Sequence, residues 1–592
     1  MKRKTHSDII SRMFLSAAVA MIFTQVAGVA AQIIDGIITS RKLGPDPFSA
    51  ISLLNPFITV ILLVAAFIST GNQIVCSTHV GTGHKKEANA VFSLAVVTGI
   101  TAACILVLAC VCIPDLLFRI CGVSADSYPE LYPGMKDYLQ GYLFGIPAMI
   151  LIQVVGPVIV MDNGKIKFTV SAFILCAVDV AGDLLNVFVF RGGTYGMGLA
   201  TAISFNVQLL FLLTHFMKRN NYFAFSFRGI RFRNLKAVAK AGSPTLVQRA
   251  AITLRDLSVN RLNLMVAVST TAVAARGLQN DLNLLLFCVG LGIGKTLVSM
   301  TGVYFGANDR QGLKRLFSYS MKTAVTISGA IGLTVFLLAP LLAGLYTKEP
   351  DVLSLGIFSI RCMAAGLVMD VLSCAFIDYL QGIRNRRLVN ILNISDRFFL
   401  PVLSALVLGL TFGSRGIMAS VAVGKLLLIL VMTGIVLFRN RRLPRTWEDC
   451  MLLPDDFGGT EDDNLYAAIT SMEDVITESR NAEEFCLRHG TDRRKASLMG
   501  LFVEELAGNI IRHGKSRRKQ KTAADFRLSV NDGRIVLSLR DYLQEFDPTA
   551  YYAAHYDEGP EEMPGIRMVT ELAEEIRYYN AFNSNNIIVY LN

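Results

Sequence analysis

The sequence predicts a polytopic α-helical membrane protein with about twelve transmembrane helices in two six-helix bundles, followed by a C-terminal α/β sandwich. Three observations lead to this prediction. The chain has 592 residues, of which 53% are hydrophobic, and residues 1–440 contain repeated apolar runs of about 20 residues, the length at which a helix crosses a bilayer. The first half of this region repeats in the second. The remaining chain is polar.

The composition also sets the domain boundaries. We assign residues 1–225 to the first bundle, 226–440 to the second, 441–461 to a linker and 462–592 to the soluble domain. The linker begins with the basic segment "FRNRRLPRTWEDC", after which no apolar run is long enough to span. The first run, "FLSAAVAMIFTQVAGVAAQII", is too long for the core of a cleaved signal peptide and is expected to remain as a span.

Basic residues alternate between the loops and so predict the orientation. By our count about 25 lie in one set of loops and about 8 in the other, and the basic set is expected to be cytoplasmic. The N-terminus and the C-terminal domain then both face the cytoplasm of a multi-pass inner-membrane protein. The net charge of +11 reflects this topology, because no segment resembles a nucleic-acid-binding module.

An internal repeat relates the two bundles. The segment "VGTGHKKEANAVFS" (80–93) aligns with "FGANDRQGLKRLFS" (305–318), an offset of 225 residues, and the same offset aligns "SAISLLNPF" with "AARGLQNDL". Transporters built from two such bundles bind substrate between the halves and rock around it.

Three segments resemble the MATE transporters of the MOP superfamily. They are "QIIDGIITSRKLGPDPFSAISLLNPF", "VGTGHKKEA" and "GGTYGMGLATAIS", and the resemblance extends over roughly residues 8–440. It implies a twelve-helix exporter fold, which the lipid-linked precursor flippases share. It also implies cation-coupled antiport of organic solutes, as in multidrug efflux.

Acidic residues in the first bundle are candidates for cation coupling, because a carboxylate inside a membrane is costly. Asp35 lies late in the first span, where the resemblance implies a coupling role with H⁺ or Na⁺. The family's fifth helix carries an Asn followed four residues later by an Asp. Gly182 and Asn186 stand at those places, and Asp179 and Asp183 are close enough in sequence to supply the carboxylate from a shifted position.

The second bundle carries more charges than a lipid-facing bundle needs. Arg255, Asp256, Lys295, Arg361 and Asp370 all fall within apolar spans. They could simply neutralise one another, or they could line a polar, partly cationic cavity. The second interpretation favours an anionic or zwitterionic small-molecule substrate, or an anionic lipid-linked one.

The soluble domain alternates helices and strands. Residues 498–513 form an amphipathic helix whose polar stripe carries Glu505, Asn509 and His513, each four residues apart. The segment "DFRLSVNDGRIVLSLRD" predicts a hairpin around the turn at residues 532–533. A second helix, "GIRMVTELAEEI", and the strands "RYYNAF" and "NNIIVYLN" follow, which fits an antiparallel sheet covered by helices.

This order resembles the GHKL (histidine-kinase-like) ATPase fold, in the branch of the anti-sigma-factor serine kinases. "EELAGNIIRHG" is similar to its N-box, which implies Glu505 as a catalytic base, Asn509 as the Mg²⁺ ligand and His513 in the ATP site. Asp541 would bind the adenine amino group, and Gly565 would let backbone N–H groups approach phosphate. ATP and Mg²⁺ are the implied cofactors. A STAS-type protein carrying the target serine is the implied partner.

Three positions depart from this pattern. Leu543 and Glu545 stand in "DYLQEFDP" where glycines are expected, and Met563 replaces the first glycine of the second Gly motif. Glycine at such positions allows positive φ and close backbone approach. A catalytically inactive interaction module with the same fold is therefore the alternative interpretation of the soluble domain, which is called the tail below.

Together these features predict a MATE-like exporter with a fused cytoplasmic ATP-binding, serine-kinase-like regulatory domain. Two other functions fit the same pattern. One is a membrane-tethered signalling kinase that uses the transporter fold as a sensor. The other is a lipid-linked precursor flippase with a degenerate tail.

Overall fold

The computed structural model describes ten stretches of the chain: 9–120, 130–217, 221–266, 270–346, 349–454, 457–460, 462–515, 523–531, 534–556 and 564–591. Met563 and the predicted turn at 532–533 lie outside the described residues.

The described residues of the first half of the membrane domain form nine helices, which make up six candidate spans. They are α1 (Ile9–Ile38), α2 (Pro45–Leu53), α3 (Asn55–Gly81), α4 (Lys85–Cys112), α5 (Pro114–Ile120), α6 (Leu131–Tyr142), α7 (Ile146–Met161), α8 (Lys165–Leu185) and α9 (Gly193–Leu213). Proline at the first turn of α2, α3 and α7 suits a helix start, because the missing N–H would have no intrahelical partner there.

In the second half, the structure describes six helices. They are α10 (Arg233–Val266), α11 (Thr270–Gly306), α12 (Arg310–Tyr346), α13 (Pro350–Gly382), α14 (Arg386–Ile394) and α15 (Leu400–Asn440). Three short π-helical turns, at Thr39–Leu43, Asn186–Phe190 and Ser395–Phe399, extend or join helices of the two halves.

The number of spans differs from the expected twelve. Among the described residues, ten helical segments are long and apolar enough to cross a membrane. Two causes account for the difference. Charged residues make α10 too polar to count, and α14 with α15 counts once although Gly413, at φ 61° and ψ −142°, interrupts the helix.

The two halves pack in a pairwise arrangement that follows the internal repeat. A Cβ on Gly81 of α3 would lie 1.9 Å from the carbonyl oxygen of Val303 in α11, and a Cβ on Gly306 would lie 2.2 Å from that of Thr78. Thr78 and Gly81 precede Val303 and Gly306 by 225 residues each. The offset seen in the sequence is therefore a symmetry of the packing, and glycine is required where the backbones meet.

In the described residues of the C-terminal domain, five antiparallel strands form one sheet, in the order β1-β2-β3-β5-β4. They are β1 (Asn464–Ile469), β2 (Ala524–Asn531), β3 (Arg534–Asp541), β4 (Glu575–Ala581) and β5 (Ser584–Leu591). β2 and β3 pair from Ala524 with Asp541 to Asn531 with Arg534, as the predicted hairpin requires.

The described part of this domain also contains four helices: α16 (Met472–Arg488), α17 (Arg493–His513), α18 (Pro548–Ala554) and α19 (Pro564–Leu572). Ser471 and Asp474 cap the start of α16 in a reciprocal pair of hydrogen bonds. Phe502 and Leu506 of α17 pack with Phe526 and Leu537 of the sheet in one buried core. The elements β1, α16 and α18 have no counterpart among those predicted from the sequence.

The opposite face of the sheet packs on the membrane domain. Tyr579, Phe582 and Ile588 are buried in the same cluster as Ile10 of α1 and Tyr304 of α11. The tail is thus docked across the ends of the membrane helices, with its helical layer facing away from them.

Candidate functional site

Three carboxylates lie together in the first half of the membrane domain. Asp179 and Asp183 are one helical turn apart on α8, which packs against α1 where Asp35 lies. Asp179 and Asp183 are 5% and 0% exposed. The three carboxylates are close enough to repel one another electrostatically, so the structure brings together the acidic residues that the sequence singled out.

The hydrogen bonds of these carboxylates differ. Thr39 Oγ1 donates to Asp35 Oδ1 at 3.3 Å, and Ser204 Oγ donates to Asp179 Oδ1 at 3.2 Å. Neither oxygen of Asp183 has a hydrogen-bond partner among the described residues. A buried carboxylate without a donor is stabilised by binding a proton or a cation.

Asn186 does not join this cluster. Its Nδ2 donates to the carbonyl oxygen of Gly193 at 2.9 Å, and its Oδ1 accepts from the backbone N–H of Gly192 at 3.0 Å. The side chain therefore closes the turn between α8 and α9. The nearby side chains that sequence reasoning missed are Ser204 and the buried Tyr138, for which no sequence signal marked this role.

A second polar site is a cavity of about 120 Å³ in the second half. Among the described residues, its charged lining consists of three cations and three carboxylates: Arg255, Arg397, Lys425, Asp256, Asp370 and Asp396. Gln279 and Asn283 add amide groups. The lining is therefore balanced in charge, whereas we had expected a partly cationic cavity.

Ion pairs fix the wall of this cavity. Lys425 Nζ lies 2.6 Å from Asp370 Oδ1 and 2.5 Å from Asp396 Oδ1. Asp396 Oδ2 in turn lies 2.8 Å from Arg397 Nε. Arg255 Nη2 pairs at 2.8 Å with its neighbour Asp256, which is exposed. Both interpretations of the charged spans thus apply, since the charges neutralise one another and also line a cavity.

Two residues that were expected to line this cavity, Lys295 and Arg361, lie elsewhere. Lys295 does not line this cavity; it lies near Asp378 and Arg249. Arg361 lies with its guanidinium 5.3 Å from the centroid of the Phe336 ring. The grouping was wrong for these two residues because position along a span does not tell which side of the helix faces the cavity.

The third site is a pocket of about 600 Å³ in the C-terminal domain. Its lining includes all five residues that the sequence singled out there: Glu505, Asn509, His513, Asp541 and Gly565. The first three extend along α17 with the expected spacing, Asp541 ends β3 and Gly565 begins α19. A volume of this size is typical of small-molecule sites.

Close packing explains the glycine at residue 565. A Cβ there would lie 1.8 Å from Oε2 of Glu505, so any larger side chain would displace α19 or the carboxylate. The glycine therefore leaves the start of α19 open toward Glu505.

The floor of the pocket is a hydrogen-bonded network around Asp541. Its Oδ1 accepts from Asn585 Nδ2 at 2.8 Å and from the backbone N–H of Leu543 at 2.9 Å. Asn585 Oδ1 accepts from Tyr578 at 2.8 Å and from Asn580 at 2.6 Å. Burial, opposed by the hydrogen bond with Asn580, raises the pKa of Tyr578 above its ordinary value.

The two described departures from the glycine pattern take ordinary backbone conformations. The described non-glycine residues with positive φ do not include Leu543 or Glu545, so the loop does not need glycine for its conformation. Leu543 is buried and narrows the pocket beside Gly514, where an added Cβ would meet Leu543 Cδ1 at 2.3 Å. Glu545 is exposed.

Metal binding by clustered side chains is not indicated in the described stretches, which contain no group of three His, Cys, Asp or Glu residues placed to hold an ion. Asn509 could contribute one oxygen ligand to a Mg²⁺ ion held mainly by phosphate.

Comparison with known proteins identifies the membrane domain. The family model described as MatE matches residues 20–188 and 244–407, which together exceed half of the chain. The match ends before the linker.

Related sequences cover the same region. The multidrug export protein MepA of Staphylococcus aureus (strain MSSA476) is 21% identical over 399 residues, 67% of this chain and 86% of MepA. MepA of Staphylococcus saprophyticus is 22% identical over 401 residues, with the same coverage. The uncharacterized transporter YisQ of Bacillus subtilis is 22% identical over 318 residues, 52% of this chain and 67% of YisQ.

Solved structures show the same fold at low identity. An outward-facing multidrug resistance MATE transporter of the MOP superfamily superposes with a TM-score of 0.68 at 20% identity, covering 74% of this chain and 98% of its own. A MOP superfamily transporter from Pyrococcus furiosus, described as having a binding pocket of reverse polarity, gives 0.66 at 20% identity with the same coverage.

Proposed function

The chain belongs to the MatE family, and we propose that it exports a small organic solute by cation-coupled alternating access. It is a multi-pass membrane protein of the cell membrane. The MepA relatives are named as multidrug export proteins, and the proposal extends export to this chain. Its fused tail acts as an ATP-binding regulatory domain.

The acidic cluster of the first half supports cation coupling. Asp183 is fully buried, its oxygens lack partners among the described residues, and Asp179 lies one turn away. Such a cluster is stable only when a proton or a cation offsets its charge. Binding and release of H⁺ or Na⁺ here would drive the change between the two access states.

Asp35→Asn tests this coupling. We expect ion-driven efflux from proteoliposomes to be lost under both a pH gradient and a Na⁺ gradient, while solute binding is retained. Asp351→Asn is the matched control, because that carboxylate lies exposed at the start of α13. Unchanged transport by the Asp35 variant would remove the cluster from the mechanism.

The balanced cavity of the second half supports a zwitterionic or anionic solute. Arg255 is the cation best placed to meet it, because its carboxylate partner is exposed to solvent, whereas Lys425 is held by the buried Asp396 and the half-buried Asp370. Arg255→Ala should weaken binding of zwitterionic and anionic solutes more than binding of cationic dyes. Equal losses for all three classes would contradict the assignment.

The pocket of the tail supports nucleotide binding, because five residues predicted from three separate segments converge there. Asn509 would hold Mg²⁺ with its amide oxygen, and Asp541 would accept a hydrogen bond from adenine. When bound, ATP supplies a phosphoryl group for transfer. Glu505 would orient a serine hydroxyl, and the proposed acceptor is a STAS-type protein.

Nucleotide binding by the full-length chain tests this part of the proposal. We expect calorimetry on the purified protein to detect ATP binding that strengthens when Mg²⁺ is added. Absence of binding at millimolar ATP would leave the tail as an interaction module.

A further inference from the structure

The tail sheet touches both halves of the membrane domain. On the N-terminal half, Arg577 Nη1 donates to the carbonyl oxygen of Thr82 at 2.7 Å, after α3. The backbone N–H of Phe582 donates to the carbonyl oxygen of Met161 at 3.0 Å, at the end of α7. These contacts come from β4 and the turn that follows it.

Different strands hold the C-terminal half. Arg527 Nη1 of β2 donates to the carbonyl oxygen of Ala307 at 3.1 Å, and Arg540 Nη2 of β3 lies 3.3 Å from Asp309 Oδ2. The guanidinium of Arg540 also lies 4.5 Å from the centroid of the Tyr304 ring. Burial opposes the charge on Arg540, but Tyr304 and Asp309 raise the pKa of Arg540 above its ordinary value.

The membrane helices beneath the sheet are closed against each other. Gln73 Nε2 of α3 donates to Ser299 Oγ of α11 at 2.6 Å and to the carbonyl oxygen of Lys295 at 2.8 Å. The glycine contacts of residues 81 and 306 lie nearer the ends of the same two helices. On the predicted orientation this end is cytoplasmic, so the structure is closed to the cytoplasm.

The sheet ties this closed end together. Its hydrogen-bonded ladder runs without a break from β1 through β2, β3 and β5 to β4, with the C-terminal half held under β2 and β3 and the N-terminal half under β4. If the two halves separate at this end, the sheet must leave one of them or lose strand pairing. Leaving one half breaks a few contacts, whereas splitting the sheet breaks a whole ladder and its buried core.

The interface between the tail sheet and the membrane domain is called the dock below. A chain of amide hydrogen bonds joins this dock to the tail pocket. Asn163 Nδ2, in the loop between α7 and α8, donates to Asn580 Oδ1 at 2.7 Å. Asn580 Nδ2 donates to Asn585 Oδ1 at 2.6 Å, and Asn585 Nδ2 donates to Asp541 Oδ1 at 2.8 Å. Three hydrogen bonds thus connect a membrane-domain loop to the carboxylate on the pocket floor.

We propose that the tail sheet is a clamp that holds the transporter closed to the cytoplasm, and that a ligand in the tail pocket weakens its hold on the N-terminal half. A ligand amino group that binds Asp541 competes with Asn585 for the carboxylate. Loss of the Asn585–Asp541 hydrogen bond then weakens the hydrogen bond from Asn580 to Asn585 and the one from Asn163 to Asn580. The clamp follows from the docking contacts alone, whereas the ligand effect rests on the proposed nucleotide site.

The experiment measures the distance between the two halves at this end. Spin labels are placed at Lys86 and Arg387, which are exposed on opposite halves, in the full chain with its native cysteines replaced. Double electron–electron resonance of the protein without nucleotide should give one short distance population. The release variants are Arg527→Ala with Arg540→Ala for the C-terminal half, and Arg577→Ala with Asn580→Ala for the N-terminal half.

Each release pair should add a longer-distance population. Arg567→Ala is the matched control, because that arginine pairs with Glu571 on α19 at 2.9 Å, away from the dock. Asp309→Asn removes the charge partner of Arg540 from the membrane side and leaves the tail sequence intact, so misfolding of the tail cannot explain its effect. Unchanged distances in both release pairs and in Asp309→Asn would overturn the clamp.

Addition of ATP and Mg²⁺ tests the ligand effect. Wild-type protein should shift toward the longer distance, and Asn163→Ala should bind ATP equally well without the nucleotide-dependent shift. A shift that persists in Asn163→Ala overturns the route through the amides. Binding without any wild-type shift overturns the ligand effect. If ATP does not bind, the proposed nucleotide site and the ligand effect both fail, and the clamp is still decided by the release variants.

Discussion

Asp183 lies one helical turn beyond Asp179 on α8, and the two buried carboxylates differ in their partners. Ser204 Oγ donates to Asp179 at 3.2 Å, whereas the oxygens of Asp183 have no hydrogen-bond partner among the described residues. The surroundings therefore favour a charge on Asp179 more than on Asp183. We therefore expect the Asp183 carboxylate to be needed for transport although it does not stabilise the fold.

Asp183→Asn separates the effect on stability from the effect on transport. The amide removes a buried group that is costly when charged, so the melting temperature of the purified protein should stay the same or rise. Cation-driven efflux should be lost, since an amide does not exchange a proton. Thermal unfolding and proteoliposome transport, measured on the same preparation, check this prediction. A lower melting temperature with normal efflux would indicate a structural carboxylate.

The ion-pair wall of the second half predicts a strong effect on stability. Lys425→Met would leave Asp370 and Asp396 without their shared cation, and removing one partner of a buried pair costs about 3–5 kcal/mol. The free energy of unfolding should fall by that order. Lys425→Met combined with Asp370→Asn should recover part of it, because one uncompensated charge is removed. No recovery in the double variant would count against the pairing.

Gly565 gives a test of the tail pocket by shape alone. Gly565→Ala places a Cβ where Oε2 of Glu505 lies, at 1.8 Å, and nucleotide affinity measured by calorimetry should fall at least tenfold, about 1.4 kcal/mol. Gly508→Ala on α17 is the control, since its Cβ would meet nothing nearer than Met472 Cε at 3.9 Å and alanine favours a helix. Equal affinities in the two variants would place the ligand elsewhere.

Local pattern was sufficient to find individual site residues but not their groupings across helices. The four-residue spacing of Glu505, Asn509 and His513 fixes a common helix face, so their convergence follows from periodicity. The cavity of the second half depends on how α10, α11, α13 and α15 are oriented about their own axes. Tertiary packing determines these orientations. Lys295 and Arg361 therefore do not line the cavity with the other predicted residues, whereas Asp396, Arg397 and Lys425 line it although they were not among its five predicted members.

Docking of the tail could not be predicted from the sequence. The outward side chains of its strands, such as Arg527, Arg540 and Arg577, look like the solvent-facing half of an alternating pattern. In the structure these arginines instead bind carbonyl oxygens and a carboxylate of the membrane domain. Those partners lie in loops more than 200 residues away in the chain. Single-sequence periodicity carries no information on such partners.

The pocket on α17 predicts that binding and chemistry can be separated. Asn509 and Glu505 are four residues apart and both line the pocket, but the amide would hold Mg²⁺ while the carboxylate would act only in the chemical step, as the base for a serine hydroxyl. Asn509→Ala should lose the Mg²⁺-dependent part of ATP affinity. Glu505→Gln should keep nucleotide binding and lose phosphoryl transfer to a STAS-type protein, because the amide is too weak a base to accept the hydroxyl proton. Calorimetry and transfer of labelled phosphate on the full-length protein measure the two effects. Parallel loss of binding in both variants would show that Glu505 contributes to the nucleotide site itself, and normal transfer by Glu505→Gln would remove it as the base.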